Sequence, residues 1–416
     1  MDITLPYGRQ DVCCTISDFA NIEFPSVPRT SDLKDFASTL LSLLNLPSTG
    51  LPLESILSKK LNPTIAIIVN DATRSTPTKK VLEVILPYLL QCGIQPSQIT
   101  IVIATGTHRA PTYKELLRIV GEDVLQRFRV ISHDCDSDDL IPVGYLSTGT
   151  CLRLNAIVVN ADIRISIGEI LYHYHAGFSG GRKSIFPGVA DRESIYKNHS
   201  KMLHPQSNMG QLDGNPVHEE LIDSLRLCPL DFTIHLVGNS NQEICGIVTG
   251  DPIMSWKKGI DLFLGWNQII LSREVDLLIV SAGGYPKDIN MYQAHKALEM
   301  SSRAVKKGGD ILFIAECSEK WGHREFEKQA RRNLSTERIS KEIHKQFLFG
   351  LHKLYHLANL GSQYRIYLYS AFSEEETSQL FMSKIKNIQE FISQQTGSKS
   401  ICILPHGSIG LPIIKI

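Results

Sequence analysis

The sequence predicts an α/β fold of two domains, each built on a mostly parallel sheet, with a cleft between them. Two observations support this prediction. Apolar runs rich in Ile and Val recur at residues 64–70, 99–104, 155–160, 276–281 and 309–315, and such runs are typical of strands buried on both faces of a parallel sheet. Helical patterns lie between several of them, and strands that alternate with helices favour the α/β class.

Each domain has a clear helix with start and stop signals. In the first, residues 77–92 place Val81, Val84 and Ile85 on one face, with Thr76 as the expected N-cap and Pro77 at the first helical position.

In the second domain, a strand begins near Val275 and a helix is expected over residues 290–307, closed by the two glycines that follow. We therefore expect an N-terminal domain over 1–270 and a C-terminal domain over 271–416.

Composition excludes several classes of protein. The 43 Lys and Arg residues balance 43 Asp and Glu residues, so no overall positive field favours nucleic acid. Nine scattered cysteines suit a reducing compartment, and no apolar run approaches the roughly 20 residues that span a bilayer. We expect a cytoplasmic protein that acts on small molecules, without nucleic acid or membrane partners.

Polar residues follow two neighbouring strands of the first domain. Asp71 and Arg74 come directly after the run at 64–70, and His108 follows the run at 99–104 behind Gly106. The carboxyl ends of parallel strands share one edge of the sheet, so these groups should aim at one spot. Arg74 can hold a carboxylate with two parallel bonds, Asp71 can accept hydrogen bonds from sugar hydroxyls, and His108 can exchange a proton near neutral pH.

The densest segment is residues 168–188, GEILYHYHAGFSGGRKSIFPG. Its glycines fit a backbone that wraps closely around a bulky ligand. Lys183 within it can be a charge partner or a covalent anchor. The segment lacks the GxxxxGK[ST] spacing, which disfavours a P-loop.

Two further segments carry candidate groups. His199 ends the next helix, where a single imidazole could bind a metal that something other than the protein carries. Its spacing from the neighbouring histidines does not spell a zinc site. Gln293 and Lys296 lie three apart on a helix that opens after a strand of the second domain, so they share one face.

Together these segments resemble the nickel-dependent lactate racemase family, whose members carry a nickel-pincer nucleotide (nickel pyridinium-3,5-bisthiocarboxylic acid mononucleotide). The landmarks are LPYG near the start, DATR, ATGTHR, HYHAGFSGGRK, the Asn-His pair at 198–199 and PKDINMYQAHK. They span most of the chain, and their joint spacing is more specific than any one motif.

The resemblance implies a function and a set of roles. It implies a racemase or epimerase of lactate or a related 2-hydroxy acid, with the active site in the cleft, loaded by the proteins that synthesise the cofactor. The implied acid/base pair is His108 and His173. The implied substrate-binding residues are Arg74, Gln293 and Lys296. The implied cofactor-binding residues are Asp71, Lys183, His199 and Tyr292, with His199 as the nickel ligand.

The chain departs from the family pattern at three positions. Ser75 and Tyr172 stand where the family often has proline, and an extra imidazole, His175, follows His173 by two residues. Residues two apart in an extended segment share a face, so His175 competes with His173 for the role of second acid/base.

Elementary chemistry gives two histidines a purpose. The α-hydrogen of a 2-hydroxy carboxylate is very weakly acidic, so it leaves more easily as hydride to an electrophilic cofactor while a histidine takes the hydroxyl proton. A second histidine on the opposite face serves the other enantiomer. The alternatives are an epimerase of a sugar acid with the same centre and a metallocofactor-binding protein without turnover. An NAD-dependent dehydrogenase is disfavoured because no GxGxxG follows a strand.

Overall fold

The computed structural model describes residues 1–16, 19–25, 30, 33–239, 243–346, 348, 350–395, 397–408 and 410–414. Over this part of the chain, no helix has the length and apolar character that crossing a membrane requires. The chain divides into two compact units: a middle unit, Thr30–Gly265, and a terminal unit, Met1–Arg29 with Trp266–Ile416.

The strands in chain order are β1 (Asp2–Tyr7), β2 (Gln10–Thr15), β3 (Phe19–Glu23), β4 (Ile65–Asn70), β5 (Ile99–Ala104), β6 (Arg129–Ser132), β7 (Leu140–Tyr145), β8 (Cys151–Asn155), β9 (Ile163–Ile170), β10 (Tyr172–His173), β11 (Gly177–Phe178), β12 (Phe232–Gly238), β13 (Ile244–Gly250), β14 (Gln268–Leu271), β15 (Val275–Ser281), β16 (Val305–Ile314), β17 (Arg365–Tyr369), β18 (Ser383–Lys384), β19 (Gly397–Leu404) and β20 (Leu411–Ile414).

The α-helices are α1 (Phe36–Asn45), α2 (Leu53–Leu57), α3 (Thr78–Gln91), α4 (Tyr113–Ile119), α5 (Glu122–Arg127), α6 (Ala156–Asn160), α7 (Arg192–Ser200), α8 (Pro216–Leu227), α9 (Met254–Asn267), α10 (Met291–Ser301), α11 (Arg324–Ala330), α12 (Thr336–Lys345), α13 (Leu351–Gln363), α14 (Glu374–Ser378) and α15 (Ile388–Gln394).

The middle unit is built on a six-stranded sheet of order β13-β12-β9-β4-β5-β6. All neighbours are parallel except the β12–β13 hairpin. Alternate residues of β4 enter opposite cores: Ile65 and Ile67 pack in one hydrophobic cluster and Ile68 in the other. This strand is therefore buried on both faces, which explains its unbroken apolar run.

The strand order of the middle unit creates a crevice. From β4 the chain proceeds to β5 on one side, and it later adds β9 on the other side. At such a reversal the connections leave in opposite directions and open a space outside the carboxyl ends of the strands. The loops after β4, β5 and β9 border this space.

The terminal unit is built on a six-stranded parallel sheet of order β18-β17-β16-β15-β19-β3. The antiparallel β1–β2 hairpin belongs to the same unit, because Ile3 and Leu5 share a core with Leu277 and Ile279 of β15. The predicted α/β class with mostly parallel sheets is confirmed.

The division differs from the predicted domains in the first 29 residues. The prediction assigned them to the N-terminal domain, whereas they pack with Trp266–Ile416. The physical reason is long-range pairing: β3 adds to the edge of the terminal sheet beside β19, and sequence proximity carries no information about that.

Three local predictions need correction. Residues 156–160 form the short helix α6 and not a strand, because the Asn155 side chain at the end of β8 accepts from the Ile157 N–H at 3.1 Å and starts the helix. Helix α3 begins at Thr78 with Pro77 in the cap position, one residue later than expected. Helix α10 ends at Ser301, since β16 starts at Val305 and takes the glycines at 308 and 309 into the strand.

Candidate active site

A cavity of about 170 Å³ occupies the crevice of the middle unit. The loops after β4, β5 and β9 and the segment around Lys183 supply its walls. Six predicted site residues line it: Asp71, Arg74, His108, His173, Lys183 and His199. The structure thus brings together groups that lie up to 128 positions apart in the chain.

Asp71 and His108 form a hydrogen-bonded pair at one side of the cavity. The His108 Nδ1 lies 2.6 Å from Asp71 Oδ2, and the Asp71 side chain is 6 % exposed. Burial alone would raise the pKa of the Asp71 carboxyl, but hydrogen bonds from His108 and Thr73 outweigh it and hold the pKa below its usual range. The carboxylate therefore keeps the His108 proton on Nδ1, which leaves Nε2 as the basic nitrogen.

Arg74 and Glu169 bring opposite charges to the same space. Arg74 is exposed and lines the cavity. Glu169 is the second-last residue of β9 and is buried. Burial raises the pKa of its carboxyl, and the hydrogen bond from Thr76 and the charge of Arg74 offset only part of this rise. Sequence reasoning missed Glu169, although a carboxylate at the end of an apolar strand was a signal for it.

Lys183 and His173 are in contact, with Lys183 Nζ 3.2 Å from His173 Nε2. The Ala176 N–H donates to His173 Nδ1 at 3.2 Å, so a neutral His173 carries its proton on Nε2. Burial, and then the charges of Arg182 and Arg74, hold the pKa of Lys183 well below its usual value. The geometry fits a neutral Lys183 amine that accepts a hydrogen bond from the His173 Nε2–H. A neutral amine is the nucleophilic form of lysine.

The same contact restricts His173. Burial, and then the charge of Lys183, hold the pKa of this imidazole well below its usual value. Because Nδ1 accepts the Ala176 N–H, Nε2 becomes a base only after the ring gives up that bond. His108 needs no such change.

His175 and His199 extend the group of imidazoles. The His175 ring centroid lies 4.6 Å from that of His173 and 5.0 Å from that of His199. Burial, followed by the charge of Lys183, lowers the pKa of His199 to about 4. His199 is therefore neutral at physiological pH and has a lone pair suited to a metal.

A buried guanidinium holds the glycine-rich segment in place. Arg182 Nη2 donates to the Ala176 and Phe178 carbonyls at 2.9 and 3.1 Å, and Nε donates to His218 Nδ1 at 3.0 Å. Its Cζ also lies 3.9 Å from the centre of the Trp256 ring. These bonds fix the turn between the two residues that face each other, His173 and Lys183.

Two glycines of this segment are required by the protein's own packing. Gly180 has φ +85°, and a Cβ there would lie 2.8 Å from Ile170 Cδ1. At Gly177 a Cβ would lie 2.4 Å from the Gln211 carbonyl oxygen. Substitution at either position would displace the turn that carries the site.

Buried histidines beside Arg182 predict acid sensitivity. Burial, and then the Arg182 charge, lower the pKa of His235 from 6.5 to about 3. Between pH 6.5 and about pH 3, His235 carries a proton in the unfolded chain but not in the folded chain. The free energy of unfolding therefore falls as the pH drops below about 6.5. His235 alone should remove about 1.4 kcal/mol per pH unit between pH 6 and 4.

Urea unfolding at pH 7, 6 and 5 measures this slope. The His235→Gln variant should lose about one proton's worth of the pH dependence, whereas His204→Gln, at an exposed position, should keep it. An unchanged slope in His235→Gln would contradict the assignment.

Three predicted residues lie in the terminal unit, on α10. The Asn290 side chain caps this helix by accepting from the Gln293 N–H at 3.1 Å. Lys296 Nζ donates to Gln293 Oε1 at 2.7 Å, so the two predicted substrate ligands are paired, as their spacing implied. The Tyr292 ring lies 5.5 Å from the ring of His323.

The fold and the cavity define an α/β enzyme. At the carboxyl edge of its parallel sheet lie a lysine, the hydrogen-bonded pair of Asp71 and His108, the oppositely charged Arg74 and Glu169, and further imidazoles. Models of the lactate racemase N-terminal domain and C-terminal domain match residues 7–210 and 270–390. The chain belongs to the lactate racemase family.

Two relatives agree with this membership. The lactate racemase of Lactiplantibacillus plantarum is 32% identical over 319 residues, 75% of this chain and 74% of that protein. The lactate racemase of Thermoanaerobacterium thermosaccharolyticum is 32% identical over 282 residues, 67% of this chain and 66% of that protein.

The lactate racemase apoprotein structure from T. thermosaccharolyticum aligns with a TM-score of 0.84 at 26% identity, covering 99% of this chain and 100% of that chain. A Thermotoga maritima protein shares the fold, with a TM-score of 0.62 at 17% identity over 93% of this chain and 100% of that chain.

Proposed function

We propose that the protein interconverts the enantiomers of lactate or a closely related 2-hydroxy acid. One observation carries the proposal: Asp71-bound His108, His173 and the exposed cation of Arg74 border a single cavity. An acid/base group on each side of a substrate and a carboxylate anchor are what inversion of a 2-hydroxy acid requires. Family membership supports the same reaction.

We further propose a nickel-pincer nucleotide as the cofactor of this cavity. The donors present fit such a group: Lys183 lines the cavity with an amine whose pKa is lowered, which favours contact or attachment to a carboxyl derivative, and the neutral imidazole of His199 is able to ligate nickel. When bound, the group would supply an electrophilic centre that accepts and returns a hydride. Loading would require the proteins that synthesise it.

The residues of the chain divide the remaining work. Arg74 holds the substrate carboxylate through parallel hydrogen bonds, so the planar 2-oxo acid stays bound while it turns. His108 Nε2 removes the hydroxyl proton of one enantiomer. His173 serves the other enantiomer after its ring releases the Ala176 N–H, and His175 is the competing candidate. Gln293, Lys296 and Tyr292 stay predicted substrate and cofactor contacts.

Asp71 acquires a different role in this proposal. The resemblance assigned it to the cofactor, but one of its oxygens is engaged by His108 and the other by Thr73 Oγ1 at 2.6 Å. We propose that Asp71 positions His108 and stabilises its imidazolium form.

Replacement of Asp71 by Asn tests that role. The amide cannot hold the Nδ1 proton as a carboxylate does, so kcat should fall on the order of 10²-fold, within the range for a proton-transfer group, while KM changes little. Asp134→Asn, at an exposed carboxylate, is the matched control. A large rise in KM with unchanged kcat would instead place Asp71 in ligand binding.

The function is tested on protein produced with and without the cofactor's biosynthetic proteins. Only the first preparation should contain nickel, absorb visible light and convert L-lactate to D-lactate. Nickel-loaded protein that converts no member of a panel of 2-hydroxy acids would refute the racemase proposal.

A further inference from the structure

The sheet of the terminal unit has its own crevice, at the carboxyl ends of β15 and β19. From β15 the chain proceeds to β16 on one side, while β19 adds on the other side. The loops that follow β15 and β19 meet there, since the Gly407 N–H donates to the Ser281 carbonyl at 2.8 Å. In open α/β sheets this reversal of strand order is where ligands bind.

Two basic side chains lie close to one glycine in this crevice. Gly283 has φ +104°, and a Cβ there would lie 3.2 Å from His406 Nδ1 and 3.2 Å from Lys287 Cδ. Both side chains therefore approach the same stretch of backbone from different loops. The glycine is required by its backbone conformation and by these close approaches.

The charges at this spot are not balanced by a carboxylate contact. Over the part of the chain that the structure describes, Lys287 and His406 have no carboxylate oxygen within 4.0 Å. Burial lowers the pKa of Lys287. Burial, and then the charge of Lys287, lower the pKa of His406, and Asp11 opposes this. Two half-buried basic groups thus repel one another.

A third cation, Arg9 of the β1–β2 turn, packs against the loop that carries Lys287. The Arg9 guanidinium stacks 3.8 Å above the centre of the Tyr285 ring, two residues before Lys287. The nearby buried carboxylate of Asp288 is turned away into the fold, where its Oδ2 accepts the Gly8 N–H at 2.7 Å and the Glu316 N–H at 3.1 Å.

We propose that Lys287 and His406 form an anion-binding subsite that takes the oxygens of a carboxylate or a phosphate over Gly283. A bound anion would remove the repulsion between the two basic groups and satisfy both at once. The subsite does not depend on the proposed racemase activity, because all of its residues belong to the terminal unit and none lines the cavity around Lys183.

Histidine signals in the NMR spectrum of the full-length, cofactor-free protein provide the test. The His406 signal is assigned by its loss in His406→Gln. Sodium phosphate or sodium lactate is then added at constant ionic strength, with sodium chloride as the exchange salt. The subsite predicts a saturable shift of this signal and a rise of about one unit in its apparent pKa, since an anion favours the protonated ring.

Variants separate the subsite from general salt effects. Lys287→Met should abolish the saturable shift, and it should fold normally because it removes a repulsive charge. Lys306→Met, which loses an exposed lysine paired with Asp276, should keep the shift. Saturation by phosphate alone or by lactate alone identifies the ligand chemistry. No saturable shift with either anion, or an equal shift in Lys287→Met, would overturn the proposal.

Discussion

Lys183→Met is expected to reduce racemisation to background and to prevent stable retention of the cofactor. The side chain is partly buried, its Nζ lies 3.2 Å from His173 Nε2, and burial with the nearby cations lowers the pKa of its amine. Methionine has a similar volume but no amine and no hydrogen-bond donor, so the turn can stay packed while the chemical group is lost. Nickel content after desalting and the rate of L-lactate to D-lactate conversion measure the two effects.

Two companion variants give this experiment its meaning. Lys183→Arg should also fail, because a guanidinium stays protonated and cannot act as a neutral amine. Lys197→Met removes an exposed lysine paired with Glu193 and should behave like the unmodified protein. If Lys183→Met retained nickel and turned over both enantiomers at normal rates, the lysine would have no part in the site.

His108→Gln is expected to lower kcat by about 10²- to 10⁴-fold for both enantiomers. Inversion uses one imidazole as base and another as acid, and the reverse reaction exchanges these roles, so the loss of one group slows both directions. Glutamine can still bond to Asp71 but cannot exchange a proton. Initial rates with enantiomerically pure D- and L-lactate measure the effect.

The exposed His204→Gln variant controls for the substitution itself. Loss of activity confined to KM, or near-normal rates with either enantiomer, would remove His108 from the catalytic pair. Because no variant can change the equilibrium between the two enantiomers, kcat/KM must fall equally in both directions. Both directions are therefore followed to the same end point.

Sequence periodicity predicted the strands best where burial is two-sided. The runs at 64–70 and 99–104 became β4 and β5, since most of their residues are Ile, Val or Ala and are buried in the sheet. The run at 155–160 failed because an asparagine cap and five residues suffice for a helix turn, which a short apolar run cannot distinguish from a strand. The pairing of β3 with β19 depends on packing between distant segments and leaves no local pattern.

The candidate site was likewise predicted only in part from local sequence patterns. Motifs after successive strands predicted that Arg74, His108 and Lys183 would meet, and the parallel sheet brings them to one cavity. The bond between Asp71 and His108 was not predicted, because it depends on the side-by-side register of β4 and β5. The Ala176 N–H that occupies His173 Nδ1 was not predicted either, since turn geometry rather than residue type decides it.

We propose that this cavity inverts a 2-hydroxy acid by moving hydride rather than by forming a carbanion. Cofactor-loaded protein incubated with single enantiomers in deuterium oxide tests it most directly, with deuterium at C2 of the product followed by NMR. Hydride transfer should give inversion with little deuterium incorporation. Extensive incorporation from solvent during inversion would contradict it.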